Sequence, residues 1–242
     1  MTVTVLNEDC IKGMENLPDS CVDLIVTDPP YNLGNLNGLT KIGNDIMSVS
    51  DGWGSWDTFT PADYEKFMMS YFRQCYRILK EGGSLYCFTS REDNGYYIHK
   101  LQDLGFTVRN VLSIVKLNPQ PSFTKTNYRH GFELCFYMIK GGDFPKTFNF
   151  LAQERMINYF FYNAGMYKET KHPTEKPIDF IRHIIKVSSN EGDVVFDGFV
   201  GSGTTAAACK QLNRIFIGFE ISPKYYSMIM ERLQQSCLLS YL

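Results

Sequence analysis

The stretch Asp197-Gly198-Phe199-Val200-Gly201-Ser202-Gly203-Thr204-Thr205 follows directly on the apolar run Val194–Phe196 and opens a helical pattern reaching about Leu212. A second apolar run, Ile215–Glu220, comes next and ends in an acid. Glycines at a strand-to-helix turn let the backbone approach a ligand closely and present the amides of a helix N-terminus. An acid at the end of the following strand is placed to accept ribose hydroxyls. A tight turn alone would account for the glycines. Strand, loop, helix, strand and acid in succession point further, to a ligand carrying adenosine or a similar nucleoside. Few residues follow Glu220, so the other strand–helix units of such a sheet must lie earlier in the chain. The expected sheet therefore has its ligand-binding half at the C-terminus and its other half first.

The rest of the chain supplies those units. Val3–Leu6 reads as a strand, Ile11–Leu17 as a short helix, and Cys21–Thr27 as a strand buried on both faces. Residues 32–58 are rich in Gly, Asn, Ser and Asp and read as a long mobile loop. Thr60-Pro61-Ala62-Asp63 is a helix start, with a Thr cap and Pro at the first position. That helix should run to about Lys80, where Gly82-Gly83 stops it before a strand Ser84–Thr89. A helix Asn94–Leu104 and strands Phe106–Lys116 and Glu133–Ile139 follow. Residues 140–172 are aromatic but without clear periodicity. A helix from Pro177 to about Val187, a strand Val194–Asp197 and a last helix from Ser222-Pro223 complete the pattern. Alternation at both ends predicts one α/β domain spanning residues 1–242: a parallel sheet with helices on both faces, ligands at the carboxyl ends of its strands.

Asp28-Pro29-Pro30-Tyr31 stands at one such end, after Cys21–Thr27. Two prolines fix the backbone and remove two N–H donors, leaving carbonyl oxygens and the Asp side chain as a purely accepting rim. Tyr31 adds a flat ring beside it. Acceptors next to a stacking surface suit the exocyclic amino group of a planar base. An isolated Pro-Pro-Tyr would read as a structural turn; the Asp before it and the nucleoside loop elsewhere favour the site.

With these residues in hand, the chain resembles the β group of DNA amino-methyltransferases, which methylate adenine N6 or cytosine N4 from S-adenosylmethionine (AdoMet). Asp28-Pro29-Pro30-Tyr31 is similar to the catalytic tetrapeptide of that family, and Asp197–Thr205 to its cofactor loop. His172-Pro173-Thr174-Glu175-Lys176-Pro177 resembles its third hallmark, and Asn7-Glu8-Asp9-Cys10 its N-terminal segment. One departure is Gly198, where the family carries proline and which would loosen the turn. The resemblance implies a Rossmann-like AdoMet-dependent sheet with circularly permuted motif order. It divides the domain into a catalytic part (1–115), a DNA-contacting insertion (116–171) and an AdoMet-binding part (172–242).

It further implies that Asp28, Pro29, Pro30 and Tyr31 carry the chemistry on a flipped-out base. The cofactor would meet Asp9, Cys10, Asp28, His172, Thr174, Lys176, Asp197, Phe199, Gly201, Ser202, Gly203, Thr204, Thr205 and Glu220. Thr174 could equally cap the helix from Pro177, and Lys176 could be a solvated first-turn residue. DNA contacts are expected from Lys116, Asn118, Lys125 and Arg129, with Trp53 and Trp56 as candidate wedges. Glu133 resembles a position near the base, though a surface strand residue fits as well. Aspartate in the tetrapeptide favours adenine N6. Cytosine N4, an RNA amino group, or an inactive AdoMet- and DNA-binding module stay open as alternatives. Expected partners are duplex DNA, with single strands possible, a second copy of the chain, and a cognate restriction nuclease.

Composition is compatible with this. The chain has 242 residues, 44% hydrophobic, with net charge −2, which excludes disordered and coiled-coil classes. Residues 116–182 carry ten Lys and Arg against six acids, a weak pointer to a polyanion. Seven scattered cysteines without a leader pattern read as thiols of a cytoplasmic protein, with no metal site and no membrane span.

Overall fold

The computed structural model describes residues 2–32, 39–42, 45–48, 59–90, 92–122, 125–164 and 175–238, with backbone alone for 39–42, 45–48 and 235–238. Its strands are β1 (Val3–Leu6), β2 (Val22–Thr27), β3 (Leu39–Ile42), β4 (Asp45–Ser48), β5 (Leu79–Thr89), β6 (Phe106–Lys116), β7 (Phe132–Lys140), β8 (Tyr159–Tyr162), β9 (Val194–Asp197) and β10 (Ile215–Phe219). Its helices are α1 (Cys10–Glu15), α2 (Pro61–Ile78), α3 (Asn94–Asp103), α4 (Ile178–Ser188), α5 (Thr204–Gln211) and α6 (Pro223–Leu238).

Eight strands form one sheet in the order β1-β10-β9-β2-β5-β7-β6-β8. The C-terminal pair β9 and β10 is inserted between β1 and β2, as a permuted chain requires. Every neighbour pair is parallel except those involving β7, which runs against both β5 and β6. The expectation of an all-parallel sheet is corrected at this one strand. Parallel neighbours need a crossover helix, and residues 117–131, between β6 and β7, contain none among those described.

β2 is the centre of the sheet, and all six of its residues are buried. Leu24 and Val26 point to one face, where Phe180, Ile181, Ile184 and Ile185 of α4, Ala206 and Ala208 of α5 and Ile229 of α6 pack. Ile25 points to the other, with Met14 of α1, Met68, Phe72 and Cys75 of α2 and Leu101 of α3. This alternation is the period-2 geometry of a strand, and it puts three helices on each face. Truncating Leu24 or Ile25 to Ala would cost about 2–5 kcal/mol, the usual penalty for a buried large-to-small change.

Three further expectations are corrected. α2 begins as anticipated, with Thr60 accepting from the Asp63 amide at 3.2 Å, but it ends at Ile78. Gly82 and Gly83 do not stop it; they lie inside β5, where the pairing with β2 slips between Val22 and Leu24. Residues 140–172 contain a strand after all, β8, pairing in parallel with β6. Within the expected loop 32–58, β3 and β4 pair as an antiparallel ladder. Cys10, Cys21, Cys75, Cys87, Cys135 and Cys209 are free thiols.

Candidate active site

The strand order brings four chain segments to one edge. The register Ile25↔Phe196 aligns the end of β2 with that of β9, and Gly218↔Asp197 aligns β9 with β10. Leu6↔Phe219 then sets β1 beside β10. Asp28, Asp197, Glu220 and the Asn7–Cys10 segment therefore follow one another across adjacent strand ends. Chain connectivity diverges from β9 toward β10 on one side and from β2 toward β5 on the other. The crevice of an open α/β sheet forms at such a point.

The glycine loop is held by its own neighbours. Asp197 is buried, and its carboxylate accepts from the Phe199 amide at 3.0 Å and from Thr205 Oγ1 at 2.8 Å. Burial pushes its carboxyl up to about 7, further helped by Asp28 and Glu220 and opposed by those two hydrogen bonds. Gly203, at the N-cap of α5, has φ +78°, a left-handed conformation that a side chain rarely adopts. Glu220 accepts from the Gly201 amide and from the Ser222 amide, each at 2.8 Å. Burial raises its carboxyl, and these amides oppose the rise. Arg232 of α6 braces the loop from below, donating to the Ser202 carbonyl at 2.7 Å and to Thr204 Oγ1 at 3.0 Å. It pairs with Glu175 at 3.0 Å.

Asp9 caps α1 through the Lys12 amide at 3.1 Å. Asn7 Nδ2 donates to the Glu220 carbonyl at 2.7 Å, fastening the β1 end to the β10 end. Cys10 is buried, and burial keeps its thiol protonated.

At β2 the tetrapeptide is rigidly supported. Tyr64 Oη donates to the Pro30 carbonyl at 2.7 Å, and Tyr71 Oη lies 2.7 Å from Thr27 Oγ1. Tyr31 Oη donates to Asp28 Oδ1 at 2.6 Å. Asp28 Oδ2 meets Lys176 Nζ at 2.9 Å, and the same Nζ meets Glu133 Oε2 at 2.9 Å. Burial raises the Asp28 carboxyl, while Lys176 and Tyr31 hold it back. For Glu133 burial is outweighed by Lys176 and Lys116, which bring it down to about 2. Tyr31 is held well above its ordinary value by burial and by Asp28, so it remains a donor.

The edge thus presents the carboxylates of Asp28, Asp197 and Glu220 around the N-terminus of α5. Clustered acids attract a cationic ligand, while Glu220 and the glycine turn at the N-terminus of α5 suit the hydroxyls and carboxylate of a nucleoside–amino-acid conjugate. The donor set fits AdoMet, a sulfonium cation of that description.

The structure gathers Asp9, Cys10, Asp28–Tyr31, Lys176, Asp197–Thr205 and Glu220 at this edge. His172, Thr174, Trp53 and Trp56 lie outside the described residues. Lys176 is no solvated first-turn residue; it sits against Asp28, on the tetrapeptide side of the crevice. Glu133 is likewise a site residue, not a surface one. Of the expected DNA contacts, Lys116 pairs with Glu133 at 2.7 Å. Asn118 is spent on the backbone of Ala164, donating at 3.0 Å and accepting at 2.7 Å. Arg129 donates to the carbonyls of Pro119 and Gln120. Lys125 is exposed, with φ +55°. Tyr64, Tyr71 and Arg232 gave no signal in the sequence, because their partners are distant in the chain. Among the described residues no group of three His, Cys, Asp or Glu could hold a metal, and no helix is long and apolar enough to cross a membrane.

Residues 22–231 match the family described as DNA methylase, of the N6/N4 kind. Two curated relatives are the type II methyltransferase M.HinfI of Haemophilus influenzae and M.HpaI of Haemophilus parainfluenzae. The first is 30% identical over 96% of this chain and 68% of its own length. The second is 32% identical over 96% and 74%. Among solved structures, the M1.HpyAVI–SAM complex superposes with a TM-score of 0.74 at 26% identity, covering 96% of this chain and 99% of that one. The cytosine-N4-specific PvuII DNA methyltransferase gives 0.75 at 16% identity, over 95% and 86%, a likeness of fold.

Proposed function

This chain belongs to the DNA methylase family, and on that premise we propose that it transfers a methyl group from AdoMet to N6 of an adenine flipped out of DNA. The observation that carries the reading is the placement of Asp28: a carboxylate at the carboxyl end of the central strand, beside the glycine loop and at the divergence of the sheet. Aspartate at this position of the tetrapeptide supports adenine over cytosine.

AdoMet, when bound, supplies an electrophilic methyl group. Glu220, the Gly201–Thr205 loop, Asp9 and Asp197 would hold it. The lone pair of an aromatic amine is delocalised into its ring, so the amine needs help to attack. Asp28 and the Pro29 carbonyl each accept one N–H bond from it, which favours a tetrahedral nitrogen with its lone pair turned toward the cofactor. Tyr64 already satisfies the Pro30 carbonyl, so Pro29 is the proline assigned to this task. Orientation, and acceptors aimed at the developing ammonium, are the main contributions. Tyr31 stacks on the extruded base, and the proton lost from nitrogen passes to the Asp28 carboxylate.

The same reading assigns DNA contact to parts of 116–171, and a cytoplasmic location with a cognate nuclease. It also assigns pairing with a second copy, supported by exposed Tyr159 and Phe161 on edge strand β8. A one-chain mass by light scattering, with and without DNA, would remove the dimer.

The test of the activity is incubation with AdoMet and unmethylated mixed-sequence DNA, with RNA in parallel, followed by nucleoside mass spectrometry, beside an Asp28→Ala variant. N6-methyladenine from DNA, absent in the variant, is the expected result. N4-methylcytosine would overturn the base assignment, methylated RNA the substrate, and no product despite AdoMet binding would leave an inactive binding module.

A further inference from the structure

Lys176 stands in the segment leading into α4, and its side chain is 11% exposed. Its ammonium is 2.9 Å from Asp28 Oδ2 and 2.9 Å from Glu133 Oε2. It also lies 4.7 Å from the centre of the Phe88 ring and 5.6 Å from that of Tyr31. The second oxygen of Glu133 meets Lys116 Nζ at 2.7 Å and accepts from Tyr162 Oη at 3.4 Å. Charges therefore alternate in a row from β6 through β7 to the tetrapeptide: Lys116, Glu133, Lys176, Asp28, ending on the Tyr31 hydroxyl. Lys176, at the middle of this part-buried row, is favourable there only while both its carboxylates are in place, so each charge fixes the next.

The consequence falls on Asp28. One oxygen is taken by Lys176 and the other carries the Tyr31 hydroxyl, so the carboxylate cannot turn about its own bond. We propose, resting on the methyl-transfer reading above, that Lys176 is a positioning residue held in place by Glu133. It anchors Oδ2 of Asp28, so that Oδ1 is the oxygen presented to the amine once the Tyr31 ring moves onto the base. Glu133 is then what makes Lys176 a fixed point.

The groups facing Asp28 from its surroundings are Tyr31, Lys176, Glu133 and Cys135 of β7, Cys87 of β5, and Asp197 of β9. Burial keeps both thiols protonated. Lys176 supplies the positive charge that favours ionised Asp28, against Glu133 and Asp197.

Single-turnover methylation and calorimetric AdoMet binding, on the full chain with duplex DNA, test this across the acid and neutral pH range. Lys176→Met should lower the saturated transfer rate about 100-fold, the scale of a misplaced reacting group, with AdoMet affinity largely unchanged. Its acid limb should move to higher pH, because Asp28 without its cation takes up a proton more readily. Lys176→Arg should recover part of the rate and return the limb. Glu133→Gln keeps the ammonium but removes its tether; it should show a smaller loss, with the limb at or below its wild-type position. An unchanged rate in Lys176→Met, or weaker AdoMet binding with the saturated rate preserved, would overturn the proposal. Should Lys176→Met fail to fold, wild-type rates and limbs in both other variants would overturn it equally. Failure of the methyl-transfer reading is seen separately, as a wild-type chain that methylates no base.

Discussion

Gly198, where the family resemblance leads one to expect proline, has no room for a side chain. A Cβ added at Gly198 would sit 2.6 Å from Tyr71 Cε2 and 2.7 Å from its Oη. Real Cβ atoms do not approach other atoms so closely, so something must shift. Tyr71 is poorly able to do so. It is fully buried, its hydroxyl is 2.7 Å from Thr27 Oγ1, and its ring packs 4.8 Å from that of Phe199. The turn is therefore packed shut by Tyr71, not loosened as the missing proline suggests. Gly198→Ala should carry an overpacking cost of about 1–3 kcal/mol. Displacing the ring also forfeits the hydrogen bond to Thr27, worth about 1 kcal/mol. A total of about 2–4 kcal/mol is expected by urea unfolding. Gly198→Pro should cost more, since it adds a fixed φ to the same clash. Tyr71→Leu is itself destabilising, by about 2–4 kcal/mol as a buried truncation, but it vacates the contested space. In that background Gly198→Ala should cost at least about 1.5 kcal/mol less than in the wild type. A neutral Gly198→Ala, or strict additivity in the double variant, would refute the reasoning.

Three further outcomes follow from buried polar groups. Asp23 accepts from Lys80 at 2.7 Å, Lys146 at 3.0 Å and the Val194 amide at 3.1 Å. Asp23→Ala should cost about 2–3 kcal/mol in urea unfolding, below the full price of a broken buried pair because both lysines reach water. Burial works against the Asp23 charge, but those partners outweigh it and lower its pKa. Its contribution is complete above the unfolded carboxylate pKa and is lost as pH falls below it, so the variant should be less acid-sensitive than wild type. Asp197 has the opposite sign. Its folded pKa is raised to about 7, so stability from it is complete below the ordinary carboxylate range and lost as pH rises through about 7; Asp197→Asn should flatten thermal stability over that window. Arg232→Met removes the 3.0 Å ion pair with Glu175 and the hydrogen bond to the Ser202 carbonyl; it should cost about 2–4 kcal/mol in urea unfolding, and adding Glu175→Met should recover part of it.

What was legible in the sequence is what the backbone fixes locally. The run Val22–Thr27 carries apolar residues on both faces, Leu24 and Val26 on one and Ile25 on the other, so it reads as a buried strand, with the tetrapeptide at its end. Gly201 and Gly203 announce a turn in the left-handed conformation that side chains rarely adopt. Strand direction is not local in this sense. β7 reads Phe-Glu-Leu-Cys-Phe-Tyr-Met-Ile-Lys, buried on both faces over most of its length, and a buried strand looks the same whether it runs with its neighbours or against them. β8 is four aromatic residues, Tyr-Phe-Phe-Tyr. It exposes Tyr159 and Phe161 and packs Phe160 and Tyr162 inward. With no polar residue on either face, there was no alternation to read. Gly82 and Gly83 read as a helix stop because composition cannot tell that from an irregularity inside a strand.

Charge was the least legible signal, for a related reason. The excess of bases in 116–182 suggested a polyanion-binding segment, yet folding spends many of them internally. Lys116 and Lys176 share Glu133. Lys140 is buried and donates to the Leu79 carbonyl at 2.9 Å, Lys146 pairs with Asp23, Arg129 is turned onto backbone carbonyls, and Arg182 pairs with Asp179. Acids that cancel these bases can come from anywhere in the chain, Asp23 and Asp28 from the first strands included. A segment's formal charge counts ions before the sheet order has paired them, whereas a motif at a strand end keeps its meaning because its position is set by the strand itself. That is why the sequence alone sets Asp28 at a strand end, while Lys176, expected at the cofactor or as a solvated first-turn residue, is fastened to Asp28 by a pairing that no local pattern shows.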